Sequence, residues 1–229
     1  LVDYVIGADG IFSNTRTFFE KKKNKPLFKN AIAIRTILKS TSGLEIDQNK
    51  VSLMMGKNCH LVIYPINKKK ELNFVCILRH RKKDPENIKI LLDKVVKQNP
   101  NLEKVFKEDL KSWPLYATSK ILPSTNSKVF YVGDAFNGFL PTLAQGAGQS
   151  IESAYELFNL IKNERGDIQN IYFQERSKRA KMVRRRSNFN FFIFHLTSKF
   201  MQSLRNFFMK FLVKKRGFIN SYLGSVYKN

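Results

Sequence analysis

An α/β fold is predicted by three observations along these 229 residues. Val129 to Leu157 reads as a strand, a turn and a helix opened by glycines. The section from Asn30 to about Arg81 reads as successive strands between turn signals. The end of the chain shows helical periodicity.

In order, Leu1 to Ile6 has the apolar run of a buried strand, and Gly7-Ala8-Asp9-Gly10 turns the chain. Ser13 is placed to cap a helix over Asn14 to Glu20. Lys21 to Lys29 is a linker, Lys21-Lys22-Lys23 included. Strands are expected at Ala31 to Leu38, Val51 to Met55, His60 to Pro65 and Leu72 to His80, with Lys68-Lys69-Lys70 at a hairpin tip. Ile88, Leu91, Leu92, Val95 and Val96 give helical spacing over Ile88 to Gln98, stopped by Asn99-Pro100, and a short helical piece follows at Leu102 to Lys107. Trp113 to Ile121 leads back towards a strand at Val129. After Gly166 a helix is expected from Ile168 to about Arg186, then an amphipathic one from Asn188 to Phe211. The division this predicts is 1–28 with 121–166 as one α/β domain, 29–120 as an inserted sheet domain, and 167–229 as a helical tail.

Val129, Phe130, Tyr131 and Val132 are β-branched and aromatic, and Gly133 ends the run. Asp134 then stands at a strand's carboxyl end, the edge where open α/β sheets bind ligands. A carboxylate there accepts hydrogen bonds from ribose-like hydroxyls. Gly146 and Gly148 strip side chains from the first turn of the next helix. Bare N–H groups and the positive end of the helix dipole favour an anionic or carbonyl-rich partner there.

The segment from Val129 to Leu157 resembles the second FAD-binding fingerprint of the single-component flavin aromatic hydroxylases, the group of salicylate hydroxylase and 3-hydroxybenzoate 6-hydroxylase. The resemblance is colinear over most of the chain. Asp3 to Arg16 looks like the family's GADG-x-x-S-x-x-R signature. Gly56 to Ile66 and Leu72 to Val75 are similar to paired strands of its substrate domain. Arg176, Arg179, Val183, Ser187, Asn190 and His195 match its late helix. The resemblance implies an α/β fold with a partial Rossmann-like FAD-binding domain, an inserted antiparallel sheet and a helical tail. Its G-x-G-x-x-G pyrophosphate motif is not found, so the chain is read as the carboxyl-terminal part of a longer protein or as a truncated product.

By the same resemblance, Asp134, with Gly133, meets the ribityl chain of FAD. Asp9, Gly10 and Arg16 order the loop near the cofactor, and Pro141 shapes the flavin face on which oxygen reacts. Gln145, Gly146, Ala147 and Gly148 present N–H groups to the flavin ring. Arg35, His60 and Tyr64 are weaker substrate candidates on expected strands. Asn137 stands where the family often has histidine, and Phe136 where it more usually has a small residue. The implied reaction uses NADH or NADPH and O₂ to hydroxylate a small aromatic substrate, an aromatic acid, through a flavin C4a-hydroperoxide. The competing readings are a ubiquinone-biosynthesis type of flavin hydroxylase at a membrane, and an inactive remnant or basic binding module.

The net charge of +23, from 41 Lys+Arg against 18 Asp+Glu, would ordinarily suggest nucleic acid or anionic membrane. Many lysines fall in loop-like runs and read as solvated surface, so no nucleic-acid partner is expected. Cys59 and Cys76 lack metal-ligand spacing and read as reduced thiols of a cytoplasmic protein, with no metal expected. Leu1 to Gly10 does not read as a secretory signal. Phe189 to Phe200 is interrupted by Asn190, His195 and Lys199 and falls short of the roughly 18 apolar residues of a span. Phe191, Phe192, His195, Leu196, Phe200 and Leu204 recur at helical steps. Docking of that face on the protein's own body or in a homodimer is expected, with peripheral membrane contact as the alternative.

Overall fold

The structure, a computed structural model, describes residues 1–21, 25–39, 46–47, 49–83, 88–97, 100–103, 105, 109–163 and 166–224. Lys22 and Lys23 of the expected lysine loop, the Asn99 stop and half of the expected helical piece at 102–107 lie outside these residues. The chain divides into two compact units, residues 1–29 with 115–191 and residues 30–114 with 192–229. The expected helical tail is thereby shared: 167–191 belong to the first unit and 192–229 to the second.

In chain order the elements are β1 (Val5–Gly7), α1 (Asn14–Glu20), β2 (Leu27–Leu38), β3 (Ser52–Gly56), β4 (Cys59–Ile66) and β5 (Glu71–Arg79). There follow α2 (Ile88–Val96), β6 (Lys111–Ala117), β7 (Val129–Tyr131), α3 (Asp134–Asn137), α4 (Gly146–Lys162), α5 (Ile168–Phe194), α6 (Lys199–Leu212) and α7 (Arg216–Ile219).

In the first unit, β1 and β7 pair in parallel, with Val5 opposite Val129 and Gly7 opposite Tyr131. Val129, Phe130 and Tyr131 are buried with Leu157 and Leu160 of α4 and with Tyr172 and Ala180 of α5. Tyr172 Oη donates to the Tyr131 carbonyl at 2.9 Å, tying α5 to the strand. The expectation of a buried strand at Leu1 to Ile6 is corrected: only Val5–Gly7 is strand, and Leu1, Val2 and Ile6 are exposed. Among the described residues β1 has one pairing neighbour, β7. A strand that would be buried inside a wider sheet is here an edge. On α4, Ile151, Tyr155 and Phe158 form a second exposed apolar line at helical spacing.

The second unit is built on a five-stranded sheet in the order β3-β4-β5-β2-β6. β3, β4, β5 and β2 pair antiparallel, with Leu61 opposite Cys76 and Ile34 opposite Cys76. Alternation sends Ile32, Ile34, Leu61, Ile63, Phe74 and Cys76 to one face, where Leu92 and Val95 of α2 complete the core. Each such fully buried side chain contributes about 1.5 to 3 kcal/mol relative to exposure. Between β4 and β5 the chain turns through Asn67, Lys68 and Lys69, all at positive φ, at the expected hairpin tip.

A single helix, α5, replaces the expected break near Arg186; the chain leaves it only after Phe194. The terminal carbonyls explain the stop. Ile193 O accepts from Arg205 Nη1 at 3.2 Å and Leu196 O from Gln202 Nε2 at 2.7 Å, so residues of α6 take the place of continued helix. Phe191, His195 and Leu196 are buried whereas Phe192, Phe200 and Leu204 are exposed. The six residues of the expected common face are therefore not buried together.

Candidate functional site

The site candidates of the first unit gather around the carboxyl ends of β1 and β7, the edge at which a parallel sheet presents its loops. After β7, Gly133 turns at φ +58° and ψ −137°, a conformation that disfavours any side chain. A Cβ there would also come within 2.7 Å of Ser150 Oγ. The Gly133 N–H donates to Ser153 Oγ at 2.9 Å. The turn is thus fixed to α4 from both sides, and it delivers Asp134 at the first position of α3.

Asp134 is exposed, yet desolvation by the protein around it raises its carboxyl above the usual range, with no hydrogen bond among the described residues to offset that. An accepting group left without donors is available to a ligand's hydroxyls.

Asp9 is the opposite case. Its carboxylate accepts from Ser13 Oγ, from the Thr15 N–H at 2.9 Å and from Thr15 Oγ1 at 3.0 Å. Desolvation opposes ionisation, but these bonds outweigh it and bring the carboxyl down to about 2. Ser13 Oγ in turn accepts from the Arg16 N–H at 2.9 Å, as its expected capping role requires. Asp9 therefore orders the start of α1, with Gly10 beside it at φ +80°.

Arg16 is buried and turned inward. Nη1 donates to the carbonyls of Ala135 and Phe136 at 2.8 and 3.0 Å, and Nη2 to Leu122 O at 3.2 Å. The guanidinium also lies 4.7 Å from the Tyr131 ring centroid. It fastens α1 to the loop that carries Asp134, and these donors are spent on the protein's own backbone.

Pro141 opens a 3-10 turn over Pro141–Leu143, followed by Ala144 at positive φ and by Gln145, which is buried at the head of α4. Gly146, Ala147 and Gly148 are exposed. A Cβ on Gly146 would meet nothing within 4 Å, and one on Gly148 only Gln145 Oε1 at 3.7 Å. Close helix packing, the ordinary reason for paired glycines, does not apply at either position. The first turn of α4 is open backbone.

The rest of α4 is held by a polar cluster. Arg176 donates to Gln149 Oε1 at 3.0 Å and pairs with Glu156 at 3.0 Å, and Arg179 pairs with Glu152 at 3.2 Å. Arg176 and Arg179, quoted above for their resemblance, act here as fasteners of α4 to α5.

Asn137 was not among the predicted site residues. It is 1% exposed, and neither its Oδ1 nor its Nδ2 has a hydrogen-bond partner. Leaving buried polar groups unpaired costs about 1 to 3 kcal/mol each. The only sequence signal was its departure from the family's histidine.

In the second unit the strand register places Arg35, His60 and Tyr64 on one face of the sheet, opposite the core. Arg35 faces Val75, Val62 faces Val75, and His60 and Tyr64 flank Val62 two residues either way. Arg35 is exposed, and its Nε donates to Oδ1 of the fully buried Asn73, which pairs across β4 with Tyr64. The Asn73 Nδ2 has no partner.

His60 is different: it is 1% exposed, edge-on to Phe194, with Nδ1 3.1 Å from His195 Nε2. His195 Nε2 is also 3.2 Å from the Ile77 carbonyl, which can only accept, so His195 carries that proton and His60 Nδ1 accepts. Burial first, and His195 second, lower the His60 pKa to about 3. His60, held neutral by that shift, is packed with His195 in the interior of the unit rather than on its surface. Among the described residues no group of three or more His, Cys, Asp or Glu could hold a metal ion.

Comparison with known families decides the lineage: the family described as squalene epoxidase matches residues 2–221. The chain belongs to that family. Its named relatives include an FAD-dependent monooxygenase and a hydroxybenzoate monooxygenase, which bears out the resemblance to flavin hydroxylases. The squalene epoxidase-family chain is 28% identical over 218 residues to the FAD-dependent monooxygenase cfoG of Aspergillus candidus, covering 81% of this chain and 50% of that protein. It is 26% identical over 216 residues to the 3-amino-4-hydroxybenzoate 2-monooxygenase PtnB3 of Streptomyces platensis, covering 88% of this chain and 54% of that protein. The chain thus spans about half the length of these relatives.

Two solved structures share the fold. Klebsiella pneumoniae HpxO complexed with FAD and uric acid gives a TM-score of 0.78 at 15% identity, over 96% of this chain and 60% of that one. A salicylate hydroxylase substrate complex gives 0.73 at 19% identity, over 98% and 63%.

Proposed function

We propose that the protein is an FAD-dependent monooxygenase that uses NADH or NADPH and O₂ to hydroxylate an aromatic substrate, an aromatic acid. The observation that carries this reading is the open glycine turn at the head of α4, together with the unpaired Asp134 carboxylate at the sheet's carboxyl edge. The unpaired buried amide of Asn137 adds a donor and an acceptor at the other end of α3 from Asp134. These groups fit a ligand with hydroxyls on one part and a carbonyl-rich ring on another, which FAD has.

When bound, FAD supplies the acceptance of hydride and the activation of O₂. The chain's own residues bind and orient. Asp134 would accept from ribityl hydroxyls, whose donation would bring its raised carboxyl back down. The N–H groups of Gly146, Ala147 and Gly148, with Gln145 beside them, would face the electron-rich end of the ring, where fixed donors stabilise negative charge without reorganising. Pro141 would bound the ring's face. Asp9, Gly10 and Arg16 would hold the neighbouring loops in place. Arg35 would pair with the substrate carboxylate, with Asn73 fixing the guanidinium and Tyr64 beside it on the same face.

The test is flavin retention and coupled turnover. Protein supplied with FAD and desalted should stay yellow and should oxidise NADH or NADPH faster when hydroxybenzoates are added. Asp134→Ala should lose the flavin while its circular dichroism is unchanged. Colourless wild-type protein would sink the reading, and undiminished retention in Asp134→Ala would remove that residue from the site.

A further inference from the structure

On the face of the five-stranded sheet away from α2, the register sets two rows of side chains across β2, β5 and β4. Arg35, Val75 and Val62 form one row, and Ile37, Asn73 and Tyr64 form the next. Arg35 and Ile37 are exposed, whereas Val62, Tyr64 and Val75 are partly buried. The middle of this floor is polar and closed off, because Asn73 is fully buried. Its Oδ1 accepts from Arg35 Nε, and its Nδ2 has no partner. The amide cannot turn over to relieve this, since Nδ2 would then meet the Nε–H donor against donor. Arg35 therefore dictates which way Asn73 points, and a buried donor stays unpaired as a result.

An aspartate has the same shape and would hold Nε with an ionised acceptor and no unpaired donor, but it would cancel the guanidinium's charge. The acidic residue of β5, Glu71, accepts from Asn67 instead, and among the described residues no carboxylate pairs with Arg35. The guanidinium is thus fixed through Nε by a neutral group, while Nη1 and Nη2 keep their donors and the charge. We propose that Asn73 sets charge specificity: by holding Arg35 at Nε without neutralising it, Asn73 reserves the Nη1 and Nη2 edge for end-on, bidentate capture of a carboxylate on a flat ring resting on Val62, Val75 and Ile37. Asn73 is a positioning residue that acts through Arg35. A carboxamide of the same shape meets that edge with one acceptor and an NH₂ group, donor against donor. The inference rests on the reading of this face as the aromatic-acid site. It adds that one buried amide makes the site choose ring acids over their neutral analogues.

The test is isothermal titration calorimetry of the full chain with hydroxybenzoates and the matching hydroxybenzamides, with FAD added and without it. The wild type should bind the acid roughly tenfold or more tightly than its amide. Asn73→Asp keeps the size and the acceptor for Nε but adds a negative charge. It should weaken hydroxybenzoate binding roughly 30-fold or more and change hydroxybenzamide binding less than about threefold, erasing or reversing the preference. Asn73→Leu removes the acceptor and should weaken acid binding about tenfold, yet add little in an Arg35→Ala background. An unchanged ratio of acid to amide affinity in Asn73→Asp overturns this inference alone and leaves the aromatic-acid reading standing. So does an equal loss from Asn73→Leu with and without Arg35. A wild type that binds no hydroxybenzoate overturns both. Flavin retention, read separately by absorbance, decides the cofactor half of the proposed function whatever the ring acids do.

Discussion

Replacing Gly146 and Gly148 by alanine should move stability and flavin binding in opposite directions. Glycine in a helix interior costs roughly 0.5 to 1 kcal/mol relative to alanine. A Cβ at Gly146 meets nothing within 4 Å, and one at Gly148 makes only an ordinary contact at 3.7 Å, so no steric cost offsets the gain. The double variant should be more stable without ligand by about 1 to 2 kcal/mol, near the low end because Gly146 sits at the helix end. In a chain of this size that raises the melting midpoint by roughly 2 to 8 °C. If the flavin ring lies against this turn, the two methyl groups occupy its place and retention is lost. Differential scanning calorimetry without FAD and flavin absorbance after desalting read the two effects separately. Gly133→Ala is the control: positive φ and Ser150 Oγ at 2.7 Å make it destabilising with or without ligand. Full flavin retention in the double variant would refute the idea that this backbone is bare for a ligand's sake, and destabilisation of the free protein would refute the open space itself.

Other outcomes follow from single residues. Asn137→Leu removes two unpaired buried polar atoms at similar volume and should stabilise the free protein by at least about 2 kcal/mol in urea titration, while weakening flavin retention. Arg16→Met strips the donor from three carbonyls and should cost the first unit about 3 kcal/mol or more, seen as faster hydrogen exchange in β7 and α3. Unfolded chain takes up a proton on His60 near 6.5, whereas the folded protein refuses it until about 3. The stability this contributes is complete above pH 6.5 and is lost as pH falls towards 3, at up to roughly 1 kcal/mol per pH unit. Denaturation midpoints measured across that window should flatten in His60→Leu. In the hydroxylase reading, Arg35→Ala should raise KM for an aromatic acid by roughly tenfold or more with a smaller change in kcat.

Local chemistry was legible where one run of residues decides the outcome. The strands β2, β4 and β5 follow their alternation, Ser13 caps α1 as its position required, and the turn after β7 places Asp134 at a sheet edge. What escaped depends on residues far apart. His60 and His195 are 135 positions apart, and neither periodicity nor spacing relates them. The end of α5 is set by Arg205 and Gln202 of the following helix, which took the break past Arg186. Burial of Leu1 to Ile6 was misread because an apolar run reports what a strand could cover, not how many neighbours it has. Asn137 stood out in the sequence only as a departure from the family's histidine, since a sequence cannot show that a buried amide lacks partners.

The edge of β1 that faces away from β7 has a directional consequence. A strand that joined it in parallel would run the same way as β1 and β7, so its own carboxyl end would emerge beside Asp9 and Asp134. Whatever loop followed that strand would be delivered to the same rim by the backbone ladder itself, with no side chain needed to aim it. Pairing at that margin would act as a ruler, setting the distance between the Asp134 carboxylate and any new group to the spacing of neighbouring strands, about 5 Å for each strand crossed.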